Sequence, residues 1–140
     1  MPESTRVLFV CLHGAAKSVI AAEYLRLLAA RRGIRIETSA AGVEPDVEIP
    51  PAVVSSLLAE GVDVRGRQPI GVQREMLERA DHVVSFGCDL SDVTPAATSV
   101  TEWTDVPAVS DGYATARDEI VRRVTTLLDE LSRSPAATEP

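Results

Sequence analysis

The chain is poor in several residue types at once. Its 140 residues include only two cysteines, two histidines, two phenylalanines, two tyrosines and one tryptophan. Two cysteines exclude a disulfide framework, and no Cys/His spacing suggests a metal site. With so few aromatics, the core has to be built from Val, Leu, Ile and Ala. No apolar run approaches the ~20 residues needed to span a bilayer. The opening Met1-Pro2-Glu3-Ser4-Thr5-Arg6 lacks the basic-then-apolar order of a signal peptide, so a cytoplasmic location is expected. Positive charge is also short: the formal net charge is −7 and the pI about 4.8. That balance argues against nucleic acid or anionic membrane as a partner. An anionic ligand would meet a repulsive overall field, so an anion site must make its own local positive potential. Lysine is the scarcest cation. Lys17 is the single lysine, and the other basic residues are all arginine.

What remains is an ordinary globular composition, 45% hydrophobic and 25% charged. This length suits one domain, expected over residues 1–132 with a flexible tail at 133–140. Residues 6–11 read as a short buried strand, with Val7-Leu8-Phe9-Val10 continuously apolar. Residues 18–32 carry an apolar stripe at helical spacing and end at Gly33. Residues 34–38 alternate, Ile34 and Ile36 against Arg35 and Glu37, and predict a second strand. Short helices follow at 52–60 and 73–80, then a third strand at 81–86 and a fourth at 99–103. Asp111 is placed to cap a last helix running to 132, with Ile120, Val121, Val124, Leu127, Leu128 and Leu131 on one face. Strands alternating with helices predict an open α/β sheet whose ligands bind at the carboxyl ends of the strands. Cys11 and Cys88 both fall at such ends.

The first of these ends carries the chemistry. Cys11-Leu12-His13-Gly14-Ala15-Ala16-Lys17-Ser18 joins a buried strand to a helix. A helix N-terminus and a nearby cation favour the thiolate, which is the nucleophilic form of cysteine. Gly14 accepts a left-handed backbone, and Ala15 and Ala16 keep side chains clear. Successive N–H groups from Leu12 to Ser18 can then converge on a tetrahedral anion. Ser18 is placed to hydrogen-bond the sulfur. One segment thus supplies a nucleophile and a receptor for phosphate or arsenate. The plainer alternative is a structural cysteine ending a buried strand.

Cys11-x5-Lys17-Ser18 after a Val-rich strand resembles the phosphate loop of low-molecular-weight protein tyrosine phosphatases and of the arsenate reductases that share their fold, where the pattern is Cys-x5-Arg-Ser. The likeness continues through Ser39-Ala40-Ala41-Gly42, the third strand to Cys88, and the region from Trp103 to the last helix. It implies a three-layer α/β fold of the phosphotyrosine phosphatase I or flavodoxin-like type, with four parallel strands in the order 2-1-3-4. It also implies that Cys11 attacks the oxyanion, Ser18 supports it, and an Asp-Pro loop supplies the acid.

The chain departs from that pattern at informative places. Lys17 keeps the charge of the loop arginine but cannot make its planar two-point clamp. Gly14 stands where the family has asparagine. Asp105, in Thr104-Asp105-Val106-Pro107-Ala108, is the acid if one residue is inserted. Aligned without a gap, Ala108 takes that position. Cys88 corresponds to the first relay cysteine of thioredoxin-coupled reductases, while Thr94-Pro95 occupies the region of the second. Cys88 is therefore a possible redox partner, or a packed thiol. His13 flanks the anion or tunes Cys11, or is a solvated loop residue; His82 reads as structural, on a buried strand. The expected function is Cys11-dependent phosphate-ester hydrolysis or arsenate reduction, with no cofactor beyond a thiol reductant (thioredoxin or a small thiol) for the latter. The alternative is a catalytically weak member that binds an anion or a protein partner. An electron-transfer flavodoxin-like domain fits the sheet but not a loop bearing a thiol and a cation.

Overall fold

A computed structural model describes residues 4–95 and 98–133. The expected tail at 133–140 lies, apart from Arg133, outside the described residues. Four parallel strands, β1 (Thr5–Cys11), β2 (Ile36–Gly42), β3 (His82–Ser85) and β4 (Val100–Glu102), form one sheet in the order β2-β1-β3-β4. The helices are α1 (Lys17–Arg31), α2 (Pro51–Ala59), α3 (Arg74–Arg79) and α4 (Tyr113–Arg133). The sheet is covered on both faces. Val7 and Phe9 pack with α1, α2 and α4, whereas Leu8 and Val10 pack with Leu77 of α3 and with Leu90. That two-sided burial is why β1 is a continuous apolar run.

Two expectations about the elements need correcting. The second strand does not start at Ile34 but runs from Ile36 to Gly42. Gly33, at φ +69°, ends α1 in a left-handed turn: its N–H bonds the Ala30 carbonyl and that of Ile34 bonds the Ala29 carbonyl. The apolar contact Ile34 makes thus belongs to the helix stop, as in a Schellman motif. The strand then continues through Ser39-Ala40-Ala41, small residues with no strand preference, because β1 pairs with it along the whole register from Thr5–Ile36 to Cys11–Gly42. Asp111 does not cap α4 either. It lies in a 3-10 turn over Val109–Asp111, and Gly112 accepts the first helical bond, from Ala116.

The core places the site in two ways. Phe9, Phe86 and Trp103 form an aromatic group with ring centroids 5.7 to 6.4 Å apart, joining β1 to the segments that follow β3 and β4. Glu60, just after α2, accepts hydrogen bonds from Tyr24 of α1 and Tyr113 of α4, and from Arg117, which also lies over the Tyr24 ring. Burial and the Glu60 carboxylate push the Tyr113 pKa up, so the phenol stays a donor. The start of α4 is thereby held against α1.

Gly14 and Gly42 meet backbone to backbone. Gly14 has φ +62°, and a Cβ built there would lie 2.6 Å from the Gly42 nitrogen; a Cβ on Gly42 would collide with the backbone of His13 and Gly14. Gly42→Ala is therefore expected to cost about 1–3 kcal/mol of folding stability, as overpacking against unyielding backbone does. Denaturant unfolding tests this; an unchanged midpoint would show that the contact is loose.

Candidate active site

Residues 12–16 form the turn between β1 and α1, and their polar groups are sorted by direction. The carbonyls of Cys11, Leu12 and His13 accept bonds from the N–H groups of Val43, Glu44 and Asp46. None of the amides from Leu12 to Ala16 donates to a protein group among the described residues. The carbonyl side of the turn is thus pinned to the segment after β2, and the N–H side is left available. Unpaired successive amides beside a helix N-terminus make an anion-binding concavity.

Cys11 is buried at the end of β1, and its Sγ is 3.0 Å from the Oγ of buried Ser18 in the first turn of α1. Cys11 lines a cavity of about 500 Å³ together with Leu12, His13, Ala15, Ala16, Lys17, Asp46, Phe86, Ala108, Ser110 and neighbouring apolar residues. The walls are mainly apolar, so charges inside it are poorly screened. Lys17 lines this cavity and donates from Nζ to the Val106 carbonyl at 3.0 Å. One ammonium proton therefore ties the 104–108 loop to the start of α1, and two remain.

The other sequence candidates lie elsewhere. Asp105, expected as an acid, faces away: its carboxylate is bonded to Arg123 of α4 at 2.6 Å and borders a different hollow, with Glu119 and Arg122. Arg123 also holds the Asp105 pKa below the ordinary value, the wrong direction for a group that must carry a proton at neutral pH. Ala108, the position given by the ungapped alignment, does line the cavity, with only a methyl group to offer. Cys88 does not line it. Its Sγ lies 3.4 Å from Ser85 Oγ and 3.7 Å from the Val10 carbonyl; burial raises its pKa, Ser85 opposes this, and the charge of Cys11 adds a smaller push upward. His82 is exposed at the start of β3, not buried as expected. No cluster of metal-ligating side chains occurs among the described residues.

Sequence reasoning missed Asp46, the Val106 carbonyl and the fit of Gly42 against Gly14. Asp46 carries no motif and sits among other loop acids. The carbonyl has no sequence signature. Gly42 was visible only as part of a Ser-Ala-Ala-Gly segment.

A parallel 2-1-3-4 sheet with a cysteine at the end of its first strand, followed by a turn of unpaired amides and a helix, defines a class of α/β domain. The match to the low molecular weight phosphotyrosine protein phosphatase family extends over residues 6–137, and the chain belongs to that family. A putative arsenate reductase of Halobacterium salinarum is 28% identical over 134 residues, covering 92% of this chain and 94% of that protein. The thioredoxin-dependent arsenate reductase of Corynebacterium glutamicum superposes with a TM-score of 0.77 at 28% identity, over 94% of this chain; the chain spans 63% of that one. An arsenate reductase of Archaeoglobus fulgidus gives a TM-score of 0.66 at 27% identity, over 88% of this chain and 98% of the other.

Two carboxylates paired with arginines of α4 give a pH test. Glu119 is held at about 2 by Arg122 and Arg123, and Asp105 below its usual value by Arg123. Depressed carboxyl pKa values stabilise the fold above the unfolded pKa, and that contribution is lost as pH falls through the folded one. Carboxyl carbon NMR titration should place Glu119 near about 2 and show Asp105 rising toward its ordinary value in Arg123→Ala. Asp105→Asn should leave any turnover within a few-fold; a large loss would bring Asp105 back as the acid.

Proposed function

We propose that this chain performs thiolate chemistry on a tetrahedral oxyanion of the phosphate or arsenate type, with Cys11 as nucleophile. The free amides of residues 12–16 over the Cys11–Ser18 pair carry this reading. The amides and the Lys17 ammonium receive the anion, and the Ser18 hydroxyl supports the sulfur. In the first step an S–P or S–As bond forms, and the opposite P–O or As–O bond breaks.

The likeness to proteins named arsenate reductases, at 27 and 28% identity, favours arsenate. In that case the oxygen leaves as water and a thiol attacks the Cys11 sulfur. A disulfide forms, and the electron pair of the S–As bond reduces As(V) to As(III). The thiol is Cys88 or an external reductant, a protein such as thioredoxin or a small thiol. With a phosphate ester, water releases phosphate and restores Cys11.

A second reading has its own support. Lys17 bonds Val106, Asp105 points away and Ala108 lines the cavity with only a methyl group, an arrangement that suits anion binding with weak turnover. Lysine also lacks the two-point geometry of arginine on an oxyanion.

Arsenate-dependent thiol oxidation and aryl-phosphate hydrolysis should both be measured in wild type, Cys11→Ser and Lys17→Arg. The enzyme reading expects measurable wild-type turnover of at least one substrate, abolished in Cys11→Ser. It also expects a gain of up to about 10²-fold in Lys17→Arg, the scale of one oriented transition-state donor. No wild-type turnover, with activity appearing only in Lys17→Arg, selects the binding-protein reading. Turnover that survives Cys11→Ser overturns the assignment of the nucleophile.

A further inference from the structure

Nucleophilic attack at phosphorus or arsenic leaves an oxygen that needs a proton, and the 104–108 loop offers none: Asp105 is paired with Arg123 and Ala108 has no ionisable group. The lining of the cavity includes a titratable pair, His13 and Asp46. His13 Nδ1 lies 3.1 Å from the Glu44 carbonyl and 3.4 Å from Asp46 Oδ1. A carbonyl only accepts, so Nδ1 carries a hydrogen in this contact, which sets the tautomer. Nε2 has no protein partner among the described residues, and both His13 and Asp46 line the same cavity as Cys11. The two residues are also tied through the backbone, since the Asp46 N–H is bonded to the His13 carbonyl at 3.1 Å. A carboxylate behind one ring nitrogen, with the second nitrogen unpartnered on a histidine that lines a nucleophile's cavity, suits a proton-transfer histidine.

We propose that His13 is the proton donor of this site, with Asp46 as its positioning residue; the proposal rests on Cys11 being the nucleophile. In the first step Cys11 sulfur bonds to phosphorus or arsenic, the P–O or As–O bond breaks, and the departing oxygen takes the proton from Nε2 of the His13 imidazolium. With a phosphate ester, Nε2 then accepts a proton from the water that attacks phosphorus; the S–P bond breaks and the thiolate returns. The titratable side chains that line the same cavity as His13 are Asp46, which it contacts, from the segment after β2, Cys11 from the end of β1 and Lys17 from the start of α1.

The test is the pH dependence and leaving-group dependence of Cys11-adduct formation, followed by rapid quench and intact mass, with arsenate and with a series of aryl phosphates. Wild type should lose rate on the alkaline side as the imidazolium loses its proton. His13→Asn should abolish that limb and slow poor leaving groups by about 10²-fold or more, while leaving an activated dinitrophenyl ester within a few-fold. For arsenate, the loss of the alkaline limb is the readout. Asp46→Asn should slow poor leaving groups while sparing the dinitrophenyl ester, as expected when the His13 ring loses its positioning contact. An alkaline limb that survives His13→Asn, or an equal loss on all leaving groups, overturns the role of His13 while leaving Cys11 as nucleophile. Absence of any Cys11 adduct in wild type overturns both.

Discussion

The site depends on a place where backbone packs on backbone. The turn after Cys11 crosses the end of β2 so closely that neither Gly14 nor Gly42 has room for a Cβ. This contact brings the 43–46 segment within hydrogen-bonding range of the carbonyls of Cys11, Leu12 and His13. Once those carbonyls are taken, the amides of the same turn are left on the other side without a protein acceptor among the described residues. A peptide unit cannot turn its N–H and C=O to the same side, so satisfying one edge of the turn orients the other. The parallel register of β1 on β2, which ends with Cys11 opposite Gly42, puts the two glycines together.

Electrostatics around the turn follow from that geometry more than from total charge. The chain has a formal charge of −7, but the apolar-walled cavity beside Cys11 includes the only lysine. Lys17 also bonds the Val106 carbonyl, so the cation has a structural as well as an electrostatic contact. Arginine residues are used elsewhere, in surface and half-buried pairs: Arg67 with buried Glu23, Arg123 with Asp105 and Glu119, Arg117 with Glu60. The Arg123 pair turns Asp105 outward and keeps its carboxyl ionised. Exposed pairs of this sort contribute little to stability, so what Arg123 does here is chiefly to orient.

Much of the architecture was legible in the sequence because its signals are local. The apolar run of β1 records burial on two faces, Gly33 records a helix stop, and the stripe from Ile120 to Leu131 records one buried face of α4. β2 was misplaced because Ile34 is apolar for a different reason, the end of α1, and because Ser39-Ala40-Ala41 is a strand only through its partner. The last helix was given the wrong cap since Asp111 fits that role by composition while the chain first makes a 3-10 turn. In the site, Cys11, Lys17 and Ser18 stood out by spacing and residue type. Asp46 did not, since its distance from His13 along the chain says nothing of their contact.

The sequence by itself determined that a thiol, small residues, a cation and a hydroxyl follow one another between a buried strand and a helix, and hence the family to which the chain belongs. These are facts of order along one segment, and strand and helix periodicity are enough to place them. Only the tertiary structure decided which groups from other segments complete that site: Ala108 and not Asp105 at the cavity, the Val106 carbonyl on Lys17, and Asp46 behind His13. Each of these depends on how loops leave the ends of different strands. No local propensity encodes that, because it is set by the register of the sheet and by what the helices pack against.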